Sequence, residues 1–125
     1  MSVYDIANRL ARALKKSEKY KDYKQIREKI MDDEKKLEML KDYQQQQMKL
    51  QSKQLSGQEL SVEEKERFEN LREIIELNAD IKKYLEAEYQ ISILLNDIQK
   101  IIFSDLDIGI QSNNKNELKK KEHPE

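Results

Sequence analysis

The stretch YLEAEYQISILLNDIQKIIF, residues 84–103, decides the fold of this chain of 125 residues. Its apolar residues recur every three or four positions, which is the spacing of one face of an α-helix. The pattern predicts a helix from about Ala79 to Phe103. We expect its apolar face to be the interface between subunits, with these residues: Tyr84, Leu85, Ile91, Leu94, Leu95, Ile98, Ile101 and Ile102.

An apolar face of this width needs more cover than one antiparallel neighbour can give. Exposed apolar patches of such size are rare on soluble monomers, and each buried Leu or Ile contributes about 1.5–3 kcal/mol to folding. The helix is either the central helix of the domain or also the subunit interface. We expect helices of its own chain and of a second copy to cover it, which predicts a dimer or a higher homo-oligomer.

The composition favours long helices over both a compact globule and a disordered chain. Charged residues make up 39% and hydrophobic residues 37% of the chain, with a mean hydropathy of -1.00. Disorder favours high net charge and abundant proline, whereas 24 basic residues here face 25 acidic ones and only one proline occurs. Glu, Lys, Leu and Gln form helices well. We therefore predict an all-α, elongated antiparallel helical bundle of about four to five helices, dimerising through the long C-terminal helix.

The N-terminal third contains two predicted helices and a predicted break. Ser2 with Asp5 forms a start resembling a capping box, so the first helix runs from Val3 to about Lys16. Ser17 begins the second helix. The pair Asp32 and Asp33 interrupts the apolar pattern: one of them could cap a new helix, or both could lie exposed on a continuous one, and we favour a kink or short break.

The glutamine-rich stretch DYQQQQMKLQSKQL, residues 42–55, could be a disordered tract or part of a helix. Its positions continue an apolar pattern with spacings of 3, 4, 3, 4 and 3, formed by Leu37, Leu40, Gln44, Gln47, Gln51 and Gln54. This alternation is typical of a packed helix seam, and we predict a helix from about Glu34 to Leu55. One interpretation is that Gln45 and Gln46 are merely exposed; the other is that Gln44, Gln47 and Gln51 hydrogen-bond across an interface and help to fix its register.

The segment SGQELS, residues 56–61, marks the clearest turn. Gly57 suits a helix end that needs a positive φ, and Ser61 with Glu64 forms a capping box for a helix from Val62 to about Leu77. The short loop makes the flanking helices antiparallel. The residues predicted to face inward on the second of them are Phe68, Leu71, Ile74, Ile75 and Leu77. We expect one helical domain over residues 1–108 and a flexible charged tail over residues 109–125.

The chemistry of the side chains predicts neither an enzyme nor a cofactor or metal site. Cysteine is absent, which removes disulfides and thiolate-bound metals and clusters. The single histidine, His123, lies beside a proline in the predicted tail, and no glycine-rich phosphate loop occurs. Because the net charge is close to zero, we do not expect nucleic acid to be a partner of this chain. Without a signal peptide or a long apolar run, we expect a cytoplasmic protein that does not enter a membrane.

The stretch at residues 84–103, together with NRLARALKKSEKYKDYKQ at residues 8–25 and the SGQELS turn, resembles the YlbF/YmcA family of small bacterial helical proteins. It is most similar to the YheA branch, and the resemblance spans about residues 3–108. The resemblance implies an all-α fold, self-association, and a non-catalytic role in complexes that control competence, biofilm formation and sporulation. Some members hold iron–sulfur clusters through cysteines, and this chain has no cysteine to do so.

The expected function is that of a non-catalytic regulator or adaptor, acting through helix-mediated self-association and protein–protein interaction. One alternative is an RNA-associated accessory factor that uses KKSEKYKDYK, residues 15–24, where tyrosines alternate with basic residues. Another alternative is a coiled-coil holdase chaperone.

Overall fold

The computed structural model describes residues 1–108, and within them the chain forms five α-helices and no β-strand. This confirms the predicted all-α class. The predicted charged tail, residues 109–125, lies outside the described residues. The five helices are α1 (Val3–Lys16), α2 (Glu18–Met31), α3 (Glu34–Leu55), α4 (Val62–Glu76) and α5 (Ala79–Phe103).

The chain divides into two compact units, Met1–Ile91 and Ser92–Glu125. The first unit contains α1 to α4 and the beginning of α5. The described part of the second unit contains the remainder of α5 and ends at residue 108. The single domain over residues 1–108 and the elongated shape stay predictions.

Two capping boxes begin helices at the predicted places. At α1, Ser2 Oγ accepts from the Asp5 N–H at 3.1 Å, and the Asp5 carboxylate accepts from the Ser2 N–H at 3.1 Å. At α4, Ser61 Oγ accepts from the Glu64 N–H at 3.1 Å, and Glu64 Oε1 accepts from the Ser61 N–H at 3.4 Å. Each box gives two otherwise unpaired N–H groups a partner.

The two aspartates after α2 break the helix, as predicted. Asp32 ends α2, and the extended backbone of Asp33 begins α3. Asp33 Oδ1 accepts from the N–H groups of Lys35 and Lys36 at 3.1 and 3.3 Å. A carboxylate at this position also interacts favourably with the helix dipole.

The turn after α3 depends on Gly57, whose φ of 75° lies in the left-handed region that L side chains rarely adopt. The Gln58 N–H donates to the Lys53 carbonyl at 2.9 Å, and the Gly57 N–H donates to the Gln54 carbonyl at 3.3 Å. These two bonds form a Schellman motif. The motif ends the glutamine-bearing helix, so the predicted helix over this stretch is confirmed.

The core lies in the first unit and combines side chains from four helices. Its buried members are Ile26, Ile30, Leu40, Ile75, Ile81 and Tyr84. Tyr43 of α3 stacks on Phe68 of α4, with 5.8 Å between the ring centroids. Further toward the turn, Lys53 pairs with Glu64, so residue numbers rise on α3 while they fall on α4. The two helices are therefore antiparallel, as predicted.

Two residues that were predicted to face inward on the fourth helix do not. Ile74 and Leu77 are exposed, whereas Ile75 between them is buried. The helix turns by about a quarter of a circle per residue, so only Ile75 points at the core, and its neighbour Ile74 lies toward the edge. Leu77 caps the C-terminus of α4, where the chain is already leaving the helix that packs on the core.

The core assignment predicts that Ile30→Ala lowers the free energy of unfolding by about 2–5 kcal/mol, because it leaves a cavity among fully packed neighbours. Ile74→Ala is the matched control and should cost less than about 1 kcal/mol, because Ile74 is half-exposed. Urea denaturation at one fixed protein concentration measures both. Equal losses for the two variants would contradict this assignment of the core.

Candidate interaction surface

The first two residues of the predicted interface lie in the chain's own core. Tyr84 is 7% exposed, and Leu85 packs against the buried cluster. Tyr84 Oη donates to Glu88 Oε2 at 2.8 Å, and its ring lies 5.7 Å from that of Tyr23 on α2. Tyr84 therefore contributes to the packing of α5 on α2.

The remaining six predicted interface residues form a surface that we call the distal face, and they are these: Ile91, Leu94, Leu95, Ile98, Ile101 and Ile102. Three of them are half-buried, whereas Leu95 is 46%, Ile101 74% and Ile102 49% exposed. The backbone of α5 brings all six onto one side, because they recur at helical spacing. Their role as an interface stays a prediction.

Apolar exposure continues past the distal face, through Phe103 at the end of α5 and into residues 104–108, where the sequence pattern predicted no apolar surface. Phe103, Leu106 and Ile108 are all exposed. The helical spacing of apolar residues ends at Phe103, so periodicity could not identify the last two. Leu106 and Ile108 instead alternate with Asp105 and Asp107, and this alternation was the only signal available.

Burial raises the pKa of the Tyr84 phenol above its usual value, and hydrogen bonds with Tyr23 and Glu88 raise it further. A buried phenolate would lose its hydration without a compensating cation. The phenol of Tyr84 therefore stays protonated near neutral pH and acts as a hydrogen-bond donor within the core.

An ion pair that the sequence analysis missed joins α3 to the start of α5. Lys36 Nζ donates to Asp80 Oδ2 at 2.6 Å, and Lys29 Nζ of α2 lies 3.7 Å from Asp80 Oδ1. The hydrogen bond from Lys36 is the main reason why the pKa of Asp80 is lowered, and the same bond raises the pKa of Lys36. Since 44 residues separate the two partners, no local pattern could indicate the pair.

A second ion pair closes the hairpin of α3 and α4. Lys53 Nζ donates to Glu64 Oε1 at 2.6 Å. This bond is the largest cause of the lowered pKa of Glu64, and hydrogen bonds with Ser61 lower it further. One carboxylate thus serves both the helix cap and the hairpin.

An open cleft of about 740 Å³ lies between α2 and the first part of α5. Ile26 and Ala87 are the apolar members of its lining, and the other lining residues are Lys19, Asp22, Gln25, Lys29, Asp32, Lys83, Glu86 and Gln90. Basic and acidic side chains are mixed along it, so the cleft favours neither an anion nor a cation. Sequence reasoning did not identify it.

A smaller hollow of about 470 Å³ lies at the junction of α1 and α2. Its lining includes Tyr20 and the basic residues Lys15, Lys21 and Lys24, together with Gln25 and Glu28. The structure thus brings together three of the five basic residues of the stretch 15–24, which the sequence pattern favours for RNA contact.

The glutamines of α3 differ in their surroundings. Gln44 and Gln47 are half-buried and Gln51 is exposed. Gln47 Nε2 donates to Tyr43 Oη one turn earlier on the same helix, at 3.3 Å. A hydrogen bond across an interface stays a prediction for Gln44, Gln47 and Gln51.

Within residues 1–108, no three His, Cys, Asp or Glu side chains are placed so that they could hold a metal ion together. The single histidine, His123, lies outside the described residues. None of the five helices is long and apolar enough to cross a membrane.

Comparison with known proteins found a family match and similar chains. The family described as "Control of competence regulator ComK, YlbF/YmcA" matches residues 3–107. A UPF0342 protein of Halothermothrix orenii is 53% identical over 115 residues, which cover 92% of this chain and 98% of that protein. A UPF0342 protein of Bacillus pumilus is 32% identical over 107 residues, which cover 86% of this chain and 91% of that protein.

One solved structure has a similar fold. It is a protein of unknown function (DUF964) from Bacillus stearothermophilus, with a TM-score of 0.66 and 24% sequence identity. The match covers 82% of this chain and 90% of that one. At this identity, the likeness shows the fold alone.

The pairing of Lys36 with Asp80 predicts how stability depends on pH. The lowered pKa of Asp80 means that the pair stabilises the fold above the carboxyl's ordinary pKa of 3.8, and that this contribution is lost as the pH falls through the folded-state value. The raised pKa of Lys36 means that the contribution is present below pH 10.5 and is lost as the pH rises through its folded-state value. Asp80→Asn should therefore be less stable than the wild type at neutral pH, with a difference that shrinks in acid.

Urea denaturation between pH 2 and pH 7 (about four points across the window suffice) measures this difference. Lys36→Met should lower stability in the same way, and the double variant should lose less than the sum of the two, because both remove one interaction. Lys41→Met on the exposed side of α3 is the control. Additive losses in the double variant would show that the pair is not coupled.

Proposed function

The chain belongs to the YlbF/YmcA family, and we propose that it is a non-catalytic regulatory adaptor that self-associates through the distal face of α5. The observation that carries the proposal is the exposure of the distal face, where Leu95, Ile101 and Ile102 are each about half or more exposed. An exposed patch of large apolar side chains at helical spacing is typical of a surface that binds protein.

The family description supports a regulatory role. It names the control of the competence regulator ComK, and we extend that type of activity to this chain as part of the proposal. Regulation of this kind acts through protein contacts, and the distal face offers the apolar centre that such contacts require. A cytoplasmic location is part of the same proposal.

The spacing on α5 supports association with another helix. Ile91, Leu95, Ile98 and Ile102 follow one another at intervals of 4, 3 and 4. These are the intervals of a seam in which side chains of one helix insert between those of another. A helix of a second copy fits this surface, so we propose a homodimer or a higher homo-oligomer as the working form.

The structural roles of the ionisable groups support the proposal that the protein is not an enzyme. Asp80 and Lys36 pair across helices, Glu64 caps α4 and binds Lys53, and Tyr84 stays protonated in the core. Each of these groups has a structural partner. The perturbed pKa values therefore follow from the packing of the helices rather than from a reactive site.

Leu95→Asp should weaken self-association by at least about a hundredfold, because it places a charge in an apolar seam. Sedimentation equilibrium measures the change. Leu55→Asp is the matched control: Leu55 is as apolar and more exposed, but it lies at the end of α3 and is not part of the distal face. It should associate like the wild type.

Circular dichroism shows whether the Leu95→Asp protein keeps its helices, and a poorly folded monomer is the expected state. A wild-type chain that sediments as a monomer at all accessible concentrations would refute self-association. An unaltered oligomer in Leu95→Asp would place the interface elsewhere.

RNA binding is a second candidate function, favoured by the basic hollow at the junction of α1 and α2. Lys15, Lys21 and Lys24 surround Tyr20 there, and a base can stack on an aromatic ring while basic side chains contact phosphates. The near-neutral charge of the whole chain supports only a local contact of this kind.

If the hollow binds RNA, the affinity for a single-stranded oligonucleotide should fall steeply with salt, by a slope of about -0.7 for each phosphate contact. Lys21→Glu with Lys24→Glu should then weaken binding, measured by fluorescence anisotropy. Lys41→Glu with Lys49→Glu changes the net charge equally on α3 and should have a smaller effect. Equal effects of the two double variants would indicate contact through net charge alone.

A further inference from the structure

We infer that α1 of one copy covers the distal face of α5 in a second copy, so that the proposed oligomer is built by reciprocal exchange of the N-terminal helices. This inference rests on the self-association proposed above and adds the segment that occupies the interface. The starting observation is that α1 is amphipathic but buries none of its residues. Val3 and Tyr4 are each 81% exposed, and Ile6 is exposed as well.

The apolar face of α1 matches the distal face in spacing. On α1, the residues Val3, Ala7, Leu10 and Leu14 follow one another at intervals of 4, 3 and 4. The distal seam, from Ile91 to Ile102, has the same intervals over the same number of turns. Two helices with equal seams can interdigitate along their whole length.

Charge selects this pairing over the pairing of two α1 helices. The helix α1 carries a single acidic residue, Asp5, and four basic ones, namely Arg9, Arg12, Lys15 and Lys16. Two such helices side by side would repel each other. Residues 92–108 carry the opposite excess, with three aspartates against one lysine. Complementary charges therefore favour contact between α1 and the segment that contains the distal face.

The flanking residues make this complementarity local. On a helical wheel, Arg9 and Lys15 lie on opposite sides of the apolar face of α1, one row outside the positions that flank it directly, whereas Arg12 lies opposite. On α5, Asp97 lies beside the edge formed by Leu94 and Ile101. The long side chains of Arg9 and Lys15 can extend past the apolar face toward carboxylates of a partner helix, so these charges favour an acidic partner.

The junction between α1 and α2 permits the exchange. Ser17 alone separates the two helices, and its backbone is extended, with φ of -67° and ψ of 146°. Ser17 Oγ donates to the Leu14 carbonyl at 2.7 Å and accepts from the Tyr20 N–H at 3.3 Å. Ser17 thus ends α1 and caps α2, so α1 is a separate helix that can pack on another chain.

Reciprocal exchange also limits the assembly to two copies. In a two-fold dimer, each α1 covers the partner's distal face, so one pairing occurs twice. Specific interfaces bury about 1,200–2,000 Å² in total, and two equal helix contacts supply twice the apolar area of one. The exchange leaves neither apolar face open for a third copy.

The test uses two full-length variants with complementary charge reversals. Variant A is Arg9→Glu with Lys15→Glu, and variant B is Asp97→Lys with Asp105→Lys; all four side chains are exposed. Sedimentation equilibrium should show that A alone and B alone each dimerise at least about tenfold more weakly than the wild type. An equimolar mixture should form the A–B dimer with near wild-type affinity, because both of its α1 contacts then join opposite charges.

The outcomes separate this inference from the proposal that it extends. If variant A dimerises like the wild type, α1 is not the occupant, although self-association stands. If A and B are both weakened and the mixture stays weak, the contact between α1 and the distal face is refuted. A monomeric wild type refutes the inference and the proposed function together. Lys41→Glu with Lys49→Glu is the control for net charge and should leave the wild-type affinity unchanged.

Discussion

The apolar face of α5 is the constraint on which the rest of the structure depends. At its beginning, Ile81 and Tyr84 are buried by side chains of α2, α3 and α4. Along the same helix the exposure then rises, to half of Leu95 and three-quarters of Ile101. The helices α2 to α4 are thus arranged around the first turns of α5, and the need to cover its later turns underlies the proposed association.

The helix boundaries could be predicted from the sequence because each depends on a few neighbouring residues. Ser2, Ser17 and Ser61 accept hydrogen bonds from N–H groups three residues later, and Gly57 adopts the positive φ that a Schellman motif needs. The partners in such interactions lie at most five positions apart in the sequence. The local sequence is therefore enough to determine where each helix begins and ends. The predicted limits of all five helices agree with the structure to within about one residue.

The contacts between helices could be predicted much less well, because their causes are far apart in the chain. Nothing near Lys36 indicates Asp80, and nothing near Tyr23 indicates Tyr84. The apolar pattern also predicted too wide a buried face for α4, because it assigned both Ile74 and Ile75 to the core although only Ile75 is buried. Which of two adjacent apolar residues is buried depends on the rotation of the helix, and the rotation is set by its neighbours in space.

The distal face also limits how a regulator of this kind can work. The described part of the chain buries only six residues, and only Ile30 and Ile81 of them fully, so covering further apolar surface contributes a large share of the stability that the chain can gain. If a second copy covers the distal face, another protein can bind there only by displacing that copy. Association with itself and association with a target are then competing equilibria, linked by mass action. An adaptor built in this way responds to its own concentration, because the free surface offered to a target falls as the dimer forms.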